Sequence, residues 1–207
     1  MANKQLGFYI DLSGCSGCKA CQIACRDKND TNLGVLWRRV YEIGGGSWHE
    51  QGDALVDGTF SYFVSSACSH CTDPACIPVC PTRAITKRAE DGVVIIDQSK
   101  CIGCRYCEWA CPYGAPQFNA ATGTMSKCDF CQDFLAEGKD PACVSACQMR
   151  VLHYGDIEDL RAQYGTAGAI FPFPDPSITQ PNTTFTPHRD SVPSDDRSAQ
   201  IMNPEEV

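Results

Sequence analysis

Cys101-Ile102-Gly103-Cys104-Arg105-Tyr106-Cys107-Glu108-Trp109-Ala110-Cys111-Pro112 is the stretch whose reading decides the fold. Its spacing is C-x2-C-x2-C-x3-C-P, so four thiols leave one short segment and a proline redirects the chain after the last. Three related groups flank it: Cys15, Cys18, Cys21 and Cys25; Cys68, Cys71, Cys76 and Cys80; and Cys128, Cys131, Cys143 and Cys147. Together the four groups use all 16 cysteines of the 207 residues, with none left over.

Three chemistries use cysteines in such numbers. A disulfide framework is the usual reading of an even count in a small secreted chain. The opening residues Met1 to Phe8 lack the apolar core of a secretory leader. Thiols three apart also cannot all pair locally within disulfide geometry. Zinc prefers two C-x2-C pairs, or one pair with histidines, around a tetrahedron. Closely spaced triplets with a fourth cysteine, repeated along the chain, are a different grammar. The run from Cys101 to Pro112 is the one by which two-cluster bacterial ferredoxins hold [4Fe–4S] cubes. Three such thiolates wrap three iron corners of a cube from one loop, and the fourth is carried off to the neighbouring cube. Gly103 lets the backbone pass close to the cube. The reading is four [4Fe–4S] clusters with all sixteen cysteines as iron ligands. Four cubes would add roughly −8 of charge beyond neutral thiols.

A fourth cysteine that serves another cube makes the groups work in pairs. Cys80-Pro81 and Cys111-Pro112 end their groups alike, and only 20 residues separate Cys80 from Cys101. That pairing gives one cube to Cys68, Cys71, Cys76 and Cys111, and one to Cys101, Cys104, Cys107 and Cys80. The outer groups then supply Cys15, Cys18, Cys21 and Cys147 to a third, and Cys128, Cys131, Cys143 and Cys25 to the last. Arg26 and Gln148 stand where the proline would be, and 11 residues separate Cys131 from Cys143, so the outer pairing has less to stand on. Pairing in chain order, first with second and third with fourth, stays open.

The segments between groups place the chain in the α+β class, as two ferredoxin-like halves with one inserted in the other. Residues 67–119 form the inner half, with strands over Ala84–Lys87 and Val93–Asp97 joined by Asp91-Gly92. Residues 1–32 and 120–165 form the outer half, with strands at Leu6–Asp11 and Val151–Gly155. Asp156 to Tyr164 reads as a short helix. Residues 33–66 read as an added β-hairpin, with strands near Leu36–Glu42 and Phe60–Val64 and a turn at Gly44-Gly45-Gly46. Residues 166–207 are rich in proline, serine and threonine, with isolated Phe171, Phe173 and Phe185. This extended tail has no core of its own and is expected to order by wrapping along a partner subunit.

Composition excludes other classes. The chain has 17 basic and 25 acidic residues, net −8, a poor balance for neutralising phosphates, so no nucleic-acid partner is expected. No apolar run approaches the roughly 20 residues that span a bilayer. Hydrophobic residues are 43% with the cysteines counted, a thin inventory that leaves part of the fold to something other than side-chain packing. There is no nucleotide fingerprint, flavin motif or catalytic triad, and Gly44-Gly45-Gly46 lacks the Lys-Ser/Thr of a phosphate loop. The chain reads as a non-catalytic electron carrier. His70, beside Cys71, reads as a hydrogen-bonding neighbour of a cube, and His49, His153 and His188 lack ligand spacing. Arg83, Lys87, Arg88, Arg105 and Lys127 lie near cysteines, either to raise potentials by offsetting charge or as solvated surface. Tyr106, Trp109 and Tyr113 read as core that shields clusters.

The opening Gly7-Phe8-Tyr9-Ile10-Asp11, then Cys68-Ser-His-Cys71-Thr-Asp-Pro-Ala-Cys76, Cys101-Ile-Gly-Cys-Arg-Tyr-Cys107, Cys111-Pro-Tyr-Gly-Ala-Pro-Gln117 and Asn203-Pro-Glu-Glu-Val207 resemble the iron–sulfur subunits of the dimethyl sulfoxide reductase family of molybdoenzymes. The resemblance runs over nearly the whole chain. It implies a complex with a catalytic subunit holding a molybdenum (or tungsten) bis-pterin cofactor and a membrane anchor subunit that oxidises menaquinol. The half with the first and fourth groups would face the catalytic subunit. The Cys80, Cys101, Cys104 and Cys107 cluster would face the quinol side. Nitrate reductase relatives carry tryptophan at the position of Cys104 and a three-iron cluster there, so cysteine argues for four irons. Formate dehydrogenase relatives add a C-terminal membrane helix that this sequence lacks. The resemblance further implies attachment to the membrane through partners, on the periplasmic face if the catalytic partner carries a twin-arginine signal and cytoplasmic if not. A subunit of a soluble molybdenum or tungsten oxidoreductase, or a free polyferredoxin, is the competing reading.

Overall fold

The computed structural model describes residues 4–207. Residues 1–3, which begin the expected outer half, lie outside the described residues. The architecture is mixed α/β, built from short elements wrapped around the cysteine groups.

Strand β1 (Leu6–Asp11) is the middle of the first sheet. Leu6, Phe8 and Ile10 enter the main core, while Tyr9 packs with Ile157 and Leu160 of helix α5 (Ile157–Tyr164). A strand covered on both faces reads as an unbroken apolar run, which Leu6–Ile10 is. It pairs antiparallel with β10 (Leu152–Asp156), Phe8 opposite Tyr154. Strands from either end of the cysteine-bearing region thus lie side by side. Asp156 caps α5 by accepting a hydrogen bond from the Glu158 N–H at 3.0 Å. Between them in sequence, β6 (Ile85–Lys87) and β7 (Val94–Ile96) form a hairpin.

Strands β2 (Arg39–Gly45) and β5 (Phe60–Ser66) form a long hairpin, prolonged by an exposed arm of β3 (Trp48–Gln51) and β4 (Ala54–Asp57). The expected turn at Gly44-Gly45-Gly46 is corrected: Gly44 and Gly45 are ladder residues opposite Ser61 and Phe60, and the chain reverses after Gln51 at Gly52. Crowding explains these glycines. A Cβ on Gly45 would lie 2.6 Å from the Ser198 carbonyl, and one on Gly44 would lie 2.9 Å from Met202. Further elements enclose cysteines: helices α1 (Ala20–Asn29), α2 (Tyr106–Ala110), α3 (Gln132–Ala136) and α4 (Ala142–Ser145), and the hairpin of β8 (Gln117–Asn119) with β9 (Thr124–Ser126).

The tail covers this chain itself. Strand β11 (Thr183–Thr186) runs parallel to β1, and β12 (Ala199–Ile201) antiparallel to β2. Phe173 and Phe185 stack 5.7 Å apart in the main core. Polar tail residues are tied to backbone. Asn182 donates to the His70 carbonyl at 2.8 Å, and Asn203 accepts from the Glu42 N–H at 2.8 Å and donates to the Val40 carbonyl at 3.0 Å. The surface on which the tail is ordered here is its own chain.

Candidate metal centres

The fold gathers the sixteen unpaired thiols into four sets. Cys15, Cys18, Cys21 and Cys147 line a cavity of about 380 Å³. Cys68, Cys71, Cys76 and Cys111 line one of about 370 Å³. Cys80, Cys101, Cys104 and Cys107 line one of about 290 Å³. Cys25, Cys128, Cys131 and Cys143 are neighbours in the interior, where Cys143 and Cys131 act on Cys25, and Cys25 and Cys143 act on Cys128. Each set takes three thiols from one group and the closing thiol of another. Among the described residues no three His, Cys, Asp or Glu side chains converge on a point that one ion could occupy. In a cube each thiolate binds a different iron, so its four sulfurs stand further apart than four around one zinc.

The four loops share a backbone device. The residue before each second cysteine has positive φ: Gly17 at 67°, His70 at 42°, Gly103 at 67° and Phe130 at 66°. Three residues after the closing cysteine the chain is left-handed again, at Arg83, Gly114 and Arg150. Cys25 departs from this because α1 continues past it to Asn29. Backbone N–H groups point at sulfur: Ala84 at Cys80 and Met125 at Cys101, both 3.3 Å, and Phe130 at Cys128, 3.4 Å.

Burial, and then repulsion from neighbouring thiols, pushes Cys25 and Cys76 up to about 12 and Cys107 up to about 11. Burial raises Cys80 too, but bonds from the Thr82 hydroxyl and the Ile85 and Ala84 N–H groups outweigh it, and its pKa falls. Thiols held so high are poor ligands until a cation replaces the proton, and iron supplies that charge.

The basic residues separate. Lys127 is buried, lines the Cys68 cavity and donates to the carbonyls of Val94 and Cys128. Lys87 donates to the carbonyls of Cys71 and Thr72. Arg88 pairs with Glu90 and Asp91, Arg105 pairs with Glu108, and Arg83 is exposed. His70 is fully buried. Its Nδ1 accepts from the Val94 N–H at 3.0 Å, and burial holds the imidazole well below the usual range, so it is neutral. Tyr113 is core, its hydroxyl accepting from Thr179 at 3.1 Å. The shielding role expected of Tyr106 and Trp109 is corrected, since both are exposed, Trp109 at 73%. Only Cys107 of the five-residue α2 is buried, which leaves this pair outside, 5.6 Å apart. Arg38, buried among thiols of the outer groups, escapes sequence reasoning because Trp37-Arg38-Arg39 looks like a strand's solvent side. Thiol-only donor sets, inward N–H groups and buried cations fit a cluster of net charge about −2.

Known proteins carry the same pattern. A family model described as a 4Fe-4S dicluster domain matches residues 59–157, which hold three of the four cysteine groups. A probable anaerobic dimethyl sulfoxide reductase chain of Escherichia coli is 49% identical over 203 residues, covering 98% of each chain. A chain of the anaerobic dimethyl sulfoxide reductase of the same organism is 48% identical with the same coverage. A chain of the anaerobic dimethyl sulfoxide reductase of Haemophilus influenzae is 47% identical over 205 residues, 99% of this chain and 100% of that one.

Proposed function

The chain belongs to the iron–sulfur subunits of the dimethyl sulfoxide reductase family, non-catalytic electron-transfer chains of a larger enzyme, and on that premise we propose that it relays electrons through four [4Fe–4S] clusters. The relay joins a quinol-oxidising membrane subunit to a molybdenum bis-pterin catalytic subunit. When bound, each cube takes up and passes on one electron.

The observation that carries this reading is the order of the four cysteine sets. Cys21 of the first set is near enough to Cys143 of the second for the two to act on each other electrically. Cys128 of the second and Cys68 of the third pack in one buried cluster with Ala67 and Ala115. Cys76 of the third and Cys107 of the fourth pack in one apolar cluster with Ile85, Val94 and Met125. Cys18, in the first set, is the one exposed cysteine, and in the last set Cys80, Cys101 and Cys104 are half-buried. The second set, Cys25, Cys128, Cys131 and Cys143, is buried throughout, and the third joins buried Cys68 and Cys76 to half-buried Cys71 and Cys111. Neighbouring sets that run from the exposed Cys18 through a fully buried second set to the half-buried Cys80, Cys101 and Cys104 form the layout of a wire. Strand β1 against β10 and the β6–β7 hairpin serve as the frames of two nested ferredoxin-like halves, the inner one inserted in the outer.

Among the described residues no helix is long and apolar enough to cross a membrane. The chain is held at the membrane by its partners and follows its catalytic partner across it when that partner carries a twin-arginine signal. The test is to reduce the purified complex with a quinol and follow its cluster absorbance. Bleaching by quinol, and its reversal by an oxidised substrate of the catalytic subunit, is expected. Clusters that quinol leaves oxidised would reject the relay.

A further inference from the structure

Arg38 immediately precedes β2 and is 1% exposed, one of the largest fully buried side chains of the protein. Its guanidinium lies over the Phe8 ring, 4.6 Å from the centroid. Nη1 donates to the Ser65 hydroxyl at 3.0 Å, and that hydroxyl lies 3.5 Å from the Cys21 sulfur. Nε and Nη2 are buried with no partner. A guanidinium cannot shed its charge, and a buried charge without a counter-charge costs several kcal/mol. Two orphan donors on such a group mark a place where an anion belongs.

The groups that act electrically on Arg38 are Cys143, Cys21, Cys128 and Cys25. Three of these belong to one interior set. In return, Arg38 lowers the pKa of Cys21, Cys25 and Cys128 against the rise that burial imposes. We propose that Arg38 is the internal counter-cation of the cluster held by Cys25, Cys128, Cys131 and Cys143, and that it raises the reduction potential of that cluster. The proposal rests on the four-cluster reading above. A cube with four thiolates is a dianion before reduction and gains one more negative charge on reduction. A fixed cation beside it, in an interior that screens poorly, favours the reduced form. The Phe8 face and the Ser65 hydroxyl set the plane of the guanidinium, so that the two orphan N–H groups remain for the cluster. Arg38 is thereby a positioning and tuning residue, one that carries no electron itself.

The test compares wild type, Arg38→Gln and Arg38→Lys, each as the full chain in its complex, by iron analysis and redox-poised low-temperature EPR. For Arg38→Gln we expect one potential to fall by a tenfold loss in the reduction equilibrium, about 59 mV for one electron. The clusters at Cys68 and Cys80 should hold their wild-type potentials. Arg38→Lys keeps the charge and should recover most of the shift. Loss of that one cluster in Arg38→Gln with retention in Arg38→Lys supports the same role. Four clusters at unshifted potentials in Arg38→Gln overturn the proposal, and so does an equal shift or equal loss in both variants, which would mark a packing role. Fewer than four clusters in wild type would instead fail the relay reading, and that is seen before any variant is compared.

Discussion

The cysteine loops at the two ends of the series place Gly17 and Gly103 before their second cysteine; the two in the middle place His70 and Phe130 in the same left-handed conformation. Glycine adopts it freely, whereas any other residue gives up about 1–2 kcal/mol. The middle loops accept that cost because their side chains have work to do. His70 and Phe130 are fully buried and meet edge to face, 5.2 Å apart, and Phe130 stacks on Phe8 at 4.4 Å. They pack the two middle loops against each other. The middle also holds the buried cations Arg38 and Lys127, while Arg105 at the exposed end is spent on Glu108. One loop, used four times, is open and thin at the ends and filled and charge-compensated in the middle.

The comparison can be broken most severely at Gly103. A Cβ there would lie 2.2 Å from the Gly123 carbonyl, a backbone atom that cannot swing aside. Gly103→Ala should cost the Cys80, Cys101, Cys104 and Cys107 site its cluster, read as about a quarter less iron per chain, four of sixteen. Gly17→Ala meets a side chain, the Phe63 ring at 2.4 Å, rather than backbone, so relief needs that side chain alone to shift; its loss should be smaller, and equal losses would show that the collision is not the cause.

In the middle, Phe130→Ala keeps the strained backbone and removes the filling. Large core aromatics cost about 3–5 kcal/mol on truncation, and anaerobic urea unfolding should show a loss in that range. Lys127→Gln should lower the potential of the cluster at Cys68, Cys71, Cys76 and Cys111 by an amount on the order of tens of millivolts, with the end clusters unmoved in the same EPR titration. The smallest effect is expected away from all four sites. Asp156→Ala removes the cap of α5 and should cost about 1 kcal/mol with full iron content. Iron loss there would mean that the first sheet and the cysteine loops are more tightly coupled than the packing implies.

What the sequence shows of this molecule follows from how local each cause is. The cysteine spacing, the two-faced apolar run Leu6–Ile10 and the capping Asp156 act on their own neighbourhood and are readable. Gly44 and Gly45 mislead because the pressure on them comes from Ser198 and Met202, far along the chain. The tail misleads because Asn182, Thr184 and Asn203 are polar yet buried, their side chains bonding to backbone rather than to water. The hairpin of β8 and β9 has three-residue strands, Gln117-Phe118-Asn119 and Thr124-Met125-Ser126, too short to show a period. Arg38 is invisible for a related reason: only the assembled fold shows that thiols from distant groups surround it.

The central claim is that four thiol sets hold four cubes. Metal analysis of the anaerobically purified protein with low-temperature EPR of its reduced form tests it most directly. The account predicts about sixteen irons per chain, no zinc, and four clusters with separate reduction potentials. About four irons per chain, or zinc in place of iron, would contradict it.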